Sequence, residues 1–186
     1  ELFKALFYLK MNELRGLCKS FNILSKGEKI TLIENIKQYI LTGKKPVEKI
    51  MPETSKAKPK TDYPLKPNTL ILYGSFKNDL KTRIFFKSLI GSHFHYTAFG
   101  IDWIKNKWFE GKPPTYNEFA QYWQKEYLTR QATKPKLKPE WAYLNFLEQY
   151  KQANPTAYKS DAINAWKSLR EKEAAKVKSI LNLTTL

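Results

Sequence analysis

The stretch that decides the fold is 11–43, MNELRGLCKSFNILSKGEKITLIENIKQYILTG, and its apolar spacing predicts two helices. The apolar positions of the first helix are Met11, Leu14, Leu17, Cys18 and Phe21, which recur at helical intervals. Those of the second are Leu32, Ile33, Ile36, Tyr39 and Ile40. Asn22 suits the left-handed turn that ends a helix, and Gly43 ends the second in the same way. The stretch therefore predicts a helix, an extended connection and a second helix.

The start of the second helix carries its own signal. Ser25 and Glu28 have the Ser-x-x-Glu spacing of a capping box, so we expect this helix to begin directly after Ser25. Upstream, Leu2, Phe3, Leu6, Phe7 and Leu9 follow helical spacing and predict a further short helix.

A longer pattern runs through this stretch: Leu14-x-x-Leu17-Cys18-x4-Ile23-x3-Gly27-x-Lys29-x2-Leu32-Ile33-x2-Ile36. It resembles the SAP motif, which consists of a helix, an extended loop and a second helix and binds DNA. The resemblance covers 9–43, and with the short N-terminal helix the module spans 1–43. In that family the start of the second helix, with its Gly and Lys, meets the DNA backbone, often in A/T-rich tracts. Two residues depart from the pattern: Asn22 replaces the usual Gly, and Asn35 replaces the usual Arg.

A DNA site follows from this resemblance and from the chemistry of helix starts. Unpaired backbone amides in the first turn bind phosphate oxygens, Gly27 permits close approach, and neighbouring lysines add charge. The candidate DNA-binding residues are Lys10, Ser25, Lys26, Gly27, Lys29 and Thr31. The competing interpretation is a similar helix-loop-helix that binds a protein, as LEM-type domains do.

The overall charge favours a polyanionic partner. The chain has 33 Lys and Arg against 17 Asp and Glu, a formal net charge of +16, and neutralising phosphates releases counterions. The four arginines are Arg15, Arg83, Arg130 and Arg170. Because lysine lacks the planar fork that contacts guanine edges, the contacts should go mainly to phosphate, with modest sequence specificity. The alternative is a lysine-rich solvated surface.

Beyond the module, 44–68 contains five prolines and is predicted to be a mobile Lys/Pro-rich linker. The apolar run from Thr69 to Tyr73 fits a strand or a docked extended segment. From 69 to 175 we expect a helical domain, followed by a tail at 176–186. The helical domain contains the segments Thr82-Arg83-x-Phe85-Phe86-Lys87, Phe94-His95-Tyr96-Thr97 and Thr115-Tyr116, together with Trp103 and Trp123. In these residues it resembles an uncharacterised bacterial domain that follows SAP motifs. This resemblance implies an architecture without an activity.

The spacing of aromatic residues in this helical domain predicts an internal repeat, and the alternative is chance similarity between amphipathic helices. Trp103 and Phe146 lie 43 residues apart, as do Trp123 and Trp166. We therefore expect two copies of a helical hairpin at 97–128 and 139–172, in which Trp103 contacts the Trp123 region, Phe146 contacts the Trp166 region, and both second-helix tryptophans are buried. The linker should keep the core of the N-terminal module separate from these hairpins.

Several residues have both a chemical and a structural interpretation. His93 and His95 could supply two metal ligands, but no carboxylate lies between Ser92 and Thr97, so packed histidines are favoured. Cys18 lies on an apolar helix face and is expected to be a core thiol. The aromatic residues of 85–123 suit helix cores better than a stacking platform for single strands, with Trp108 the best candidate for an exposed member.

The sequence thus predicts an all-α, two-part protein that binds duplex DNA through a SAP-like module, while its helical domain adds basic surface or recruits a protein partner. The rival function is a protein-interaction adaptor, and a weaker third is a DNA-processing enzyme using His93 and His95. We find no nucleophile elbow, phosphate loop or carboxylate cluster, so no enzyme activity, cofactor or metal is expected. No signal peptide or long apolar run is evident, so we expect no membrane association and a cytoplasmic location, at the nucleoid in a bacterium.

Overall fold

The computed structural model describes residues 1–133 and 137–183, and it confirms the all-α class. The helices are α1 (Leu2–Ala5), α2 (Met11–Ser20), α3 (Lys29–Thr42), α4 (Leu80–Ile90), α5 (Ala98–Phe109), α6 (Tyr116–Ala132), α7 (Ala142–Ala153) and α8 (Lys159–Ile180). Short 3-10 turns lie at Leu6–Tyr8 and Glu53–Ser55. Within the described ranges, no helix has the length and apolar content needed to cross a bilayer.

The helices form two compact units. Unit 1 consists of Glu1–Glu48 together with Lys136–Leu186, and unit 2 consists of Lys49–Pro135. This grouping differs from the predicted division, which placed 69–175 in one helical domain. The chain leaves unit 1 after α3, builds unit 2 and returns to unit 1 with α7 and α8.

Local signals set the ends of α2 and α3. Asn22 has a φ of 52° and follows α2, and Gly43 has a φ of 65° at the C-cap of α3, as both were predicted to do. The predicted capping box at Ser25 is wrong, because α3 begins at Lys29 with Glu28 at its N-cap. Gly27 has a φ of +115°, which a right-handed helix cannot contain, so the loop continues for three residues past Ser25.

The core of unit 1 joins its N-terminal helices to the C-terminal hairpin. Buried side chains of α1, α2 and α3 pack together with Val177 of α8, which is fully buried. The ring of Tyr8 stacks on Trp166 with centroids 5.5 Å apart. A tail was predicted at 176–186, of which 184–186 lie outside the described residues. Residues 176–180 form the end of α8, and Leu181 and Leu183 pack against the same core. The core of the N-terminal module is therefore not separate from the second hairpin.

Unit 2 is built around α4, α5 and α6. Phe86 of α4 lies 4.7 Å from Phe119 of α6 between ring centroids, and Trp123 is fully buried. Asp79 caps α4 by accepting a hydrogen bond from the amide of Thr82, as predicted. Most of the aromatic residues predicted to be core residues thus pack in or against the core of unit 2.

Residues 49–68, most of the predicted linker 44–68, belong to unit 2, and the part around Ser55 is docked there. Ser55 is fully buried, and its hydroxyl donates to the carbonyl of Trp108 at 2.7 Å. The amide of Tyr73 donates to the carbonyl of Ser55 at 2.8 Å. Ile71 is buried and its amide donates to the carbonyl of Pro114, so the run from Thr69 to Tyr73 is a docked extended segment.

Trp108 was expected to be exposed and is buried. Its side chain is 8% exposed, and its indole Nε1 donates to the carbonyl of Ile71 at 2.6 Å. Because a buried indole N–H needs an acceptor, this bond fixes the ring against the docked segment.

The two predicted hairpins both form, α5 with α6 and α7 with α8. Trp103 stacks on Tyr122 at 4.4 Å, and Phe146 lies 5.5 Å from Trp166. The second helices, α6 and α8, start at equivalent positions of the repeat, Tyr116 and Lys159. Trp123 is buried as predicted, whereas Trp166 is only half-buried. The repeat is therefore structural, but its copies belong to different units.

The second helices of the hairpins also have equivalent caps. In α6, the amide of Thr115 donates to Glu118 at 2.7 Å, and in α8 the amide of Tyr158 donates to Asp161 at 3.0 Å. In each unit a further short helix packs on the second helix of the hairpin, α4 on α6 and α1 on α8.

Candidate nucleic-acid interface

The candidate interface is the loop between α2 and α3 together with the first turn of α3. Asn35 of α3 donates from its side-chain amide to the carbonyl of Leu24 at 3.2 Å, which ties the loop to the helix. Sequence comparison alone gave Asn35 as a departure from the SAP pattern. Its role here is structural, because it holds the loop in its extended path.

The first turn of α3 presents amides that have no acceptor within the helix. Glu28 makes no side-chain cap, and the first backbone bond of the helix runs from the amide of Leu32 to the carbonyl of Glu28 at 3.1 Å. The amides of Lys29, Ile30 and Thr31 therefore have no acceptor within the helix. The carboxylate of Glu28 opposes an anion at this point, so binding there depends on nearby lysines.

The side chain of Lys29, a predicted DNA contact, is engaged within the protein. Its ammonium group donates to the carbonyl of Phe7 at 2.5 Å and is half-buried. Burial lowers the pKa of Lys29, an effect that the charges of Glu13 and Glu140 partly oppose. Lys29 is therefore a structural tie between α3 and the N-terminal turn.

The other predicted residues remain accessible to different degrees. Lys10, Lys26 and Thr31 are exposed, and Ser25 is half-buried. Gly27 is exposed, and a Cβ added to it would lie 3.1 Å from Cγ2 of Thr31 in a backbone conformation that disfavours other residues. Gly27 is thus required by the turn itself.

A shallow, open groove of about 400 Å³ follows this loop. Its lining residues are Asn22, Ile23, Leu24, Ser25, Lys26, Lys45, Pro46 and Glu48. The structure brings Ser25 and Lys26 together here, but not Lys10, Gly27, Lys29 or Thr31. The sequence had placed Lys45 in the linker, yet it lines the groove with Lys26 and with the buried Pro46, and no sequence signal indicated this.

Exposed cations also extend along α2. Arg15 and Lys19 are exposed and lie one turn apart, on the side of α2 opposite its buried residues Leu14, Leu17 and Cys18. The buried thiol of Cys18 has its pKa raised to about 11 by desolvation, so it is a core group, as predicted.

The histidine pair of unit 2 packs on aromatic rings. His93 and His95 are exposed at the edge of Trp123 and Tyr127, with His93 5.3 Å from Tyr127 between centroids. In the part of the chain that the structure describes, no three His, Cys, Asp or Glu side chains cluster as metal ligands would.

The SAP resemblance is a prediction from the residues quoted above. Comparisons with protein-family models, with curated proteins and with solved structures gave no match to this chain.

Proposed function

We propose that this chain is a non-catalytic DNA-binding protein that holds the phosphate backbone of duplex DNA against the α2–α3 loop of unit 1. The observation that carries the proposal is the open groove lined by Lys26 and Lys45, which lies next to a helix start whose first amides have no acceptor within the helix. Backbone amides and lysines together are the usual phosphate ligands of proteins.

The positions of the arginines favour an interface in which the protein contacts phosphates and not base edges. Arg170 pairs with Glu13, Arg130 pairs with Glu126, and Arg83 lies over the ring of Tyr96. Arg15 is the arginine left exposed on unit 1. Since lysine acts as a point charge, we expect similar affinity for different duplex sequences.

The test is a titration of the full chain with a short A/T-rich duplex, followed by NMR and by fluorescence anisotropy at several salt concentrations. We expect amide shifts to concentrate between 22 and 31 and at Lys45. The double variant Lys26→Glu/Lys45→Glu should bind at least about tenfold more weakly, and its salt slope should fall by about two, one for each lost phosphate contact.

A matched control separates this site from general charge. Lys112→Glu/Lys125→Glu makes the same change in net charge at exposed positions of unit 2 and should bind like the unaltered chain. Equal loss in both double variants would show that binding follows net charge alone. Unaltered affinity in the groove variant would place the interface elsewhere. Absence of any salt-sensitive DNA binding would favour the adaptor function.

A further inference from the structure

The outward side of α4 in unit 2 carries an uncovered aliphatic pair. The inward residues Thr82, Phe86 and Ile90 are buried in the unit 2 core. Leu80 and Ile84 are 67% and 59% exposed. Because they are four residues apart, their side chains lie one above the other on one side of the helix.

This side of α4 is flanked by positive charge. Lys81, Arg83 and Lys87 belong to the helix, whose sequence LKTRIFFKSLI contains no acidic residue. Within the described ranges, Lys81 and Lys87 form no ion pair. Arg83 lies over the ring of Tyr96, 5.5 Å from the ring centroid. The acidic N-cap, Asp79, is engaged by the amide of Thr82.

The combination of two aliphatic residues and surrounding cations limits what can cover this face. A second copy of the chain would bring like charges together, which costs free energy at an interface. A bilayer needs a wide apolar helix face, whereas α4 offers two aliphatic side chains. Duplex DNA would gain from the lysines but would leave Leu80 and Ile84 against phosphate.

We propose that this face, formed by Leu80, Lys81, Ile84 and Lys87, docks an acidic amphipathic helix of a partner protein. The aliphatic pair would fit between apolar residues spaced three and four apart on the partner. Asp and Glu on the flanks of the partner helix would face Lys81 and Lys87. The site lies in unit 2 and does not depend on DNA binding by unit 1.

The experiment uses the full chain and a synthetic, fluorescein-labelled peptide of about 15 residues, a length at which isolated helices become stable. The peptide carries Leu along one face and Glu on both flanks. Two comparison peptides carry Lys in place of Glu, or the same composition in scrambled order. We expect saturable binding of the acidic peptide, with binding of the other two at least about tenfold weaker.

Two variants of the chain locate the site. Leu80→Asp/Ile84→Asp should reduce the affinity for the acidic peptide at least about tenfold, whereas Leu128→Asp, at another exposed aliphatic position of unit 2, should not. Lys81→Glu/Lys87→Glu should reverse the preference toward the Lys-flanked peptide. Circular dichroism and thermal midpoints should match the unaltered chain, since all these positions are exposed.

Three results would overturn the proposal. The first is equal binding of all three peptides, and the second is acidic-peptide binding that survives both the aspartate pair and the glutamate pair. The third is Leu80-dependent binding to vesicles of phosphatidylserine and phosphatidylcholine with no binding of the acidic peptide, which would assign the face to a lipid surface. Reversed peptide preference in the Lys81→Glu/Lys87→Glu variant supports the site even if the aspartate variant unfolds.

Discussion

Replacing Trp166 with Ala tests the assignment of α7 and α8 to unit 1. The ring of Trp166 lies 5.5 Å from Tyr8, 5.3 Å from Tyr143 and 5.5 Å from Phe146 between centroids. Deleting a fully buried Trp costs about 3 to 5 kcal/mol. Because Trp166 is half-buried, we expect the variant to lose ~2 kcal/mol, about half the full value. The loss should fall on unit 1, since Tyr8 precedes α2 in that unit.

The matched variant is Trp123→Ala, at the equivalent position of the first hairpin. Trp123 is fully buried, its ring stacks on Tyr127 at 4.7 Å, and its Nε1 donates to the hydroxyl of Thr97 at 3.2 Å. We expect a loss of about 3 to 5 kcal/mol. This loss should fall on unit 2.

Native-state hydrogen exchange distinguishes the two units in one experiment. A loss of ~2 kcal/mol corresponds to roughly 30-fold faster exchange of the amides that open with the affected unit. Trp166→Ala should accelerate exchange in α2 and α3, and Trp123→Ala should accelerate it in α4, α5 and α6. Unchanged protection of α2 and α3 in the Trp166 variant would refute the reasoning, because the N-terminal module would then fold independently of the second hairpin.

Two further predictions concern unit 1. Arg170→Met removes the guanidinium that contacts the carboxylate of Glu13 at 3.1 Å, and that carboxylate is only 14% exposed. The variant should lose about 1 to 3 kcal/mol of unfolding free energy in urea, a value between those of exposed and of buried ion pairs. Adding Glu13→Gln should recover part of this loss, and a strictly additive loss in the double variant would show that the pair does not interact. The pKa of Cys18, raised to about 11 by burial, keeps the thiol protonated at pH 8, so labelling by a thiol-specific disulfide reagent should require opening of the unit 1 core and should be far slower than that of an exposed thiol. Rapid labelling of the folded chain would contradict the burial of Cys18.

Features that depend on neighbouring residues could be predicted from the sequence. The ends of α2 and α3 follow from Asn22 and Gly43, which accept positive φ, and the start of α4 follows from the cap at Asp79. Both hairpins could be predicted from the 43-residue offset. The capping signals act within one or two turns of a helix, so they do not depend on which helices pack together.

The candidate site was predictable only in part. Gly27 and Lys26 lie in the loop as expected, but Lys29 turns inward to the carbonyl of Phe7, a contact between residues 22 positions apart. Lys45 enters the groove because the chain after α3 folds back against the loop. Neither the contact of Lys29 nor the position of Lys45 produces a periodic pattern in the sequence, because each depends on a long-range contact.

Only the tertiary structure decided which helices share a core. Apolar periodicity shows which face of a helix is buried but does not identify the surface that covers it. The second hairpin joins unit 1 through the stacking of Tyr8 on Trp166 and through the bridge from Arg170 to Glu13, residues 157 positions apart. The segment around Ser55 was assigned to a linker because its prolines and lysines suggest solvent exposure, yet buried hydrogen bonds to Trp108 and Tyr73 hold it in unit 2. The sequence by itself determined the helices and most of their ends, because those depend on local backbone preferences. The pairing of distant segments required the three-dimensional contacts that satisfy their buried polar and aromatic groups.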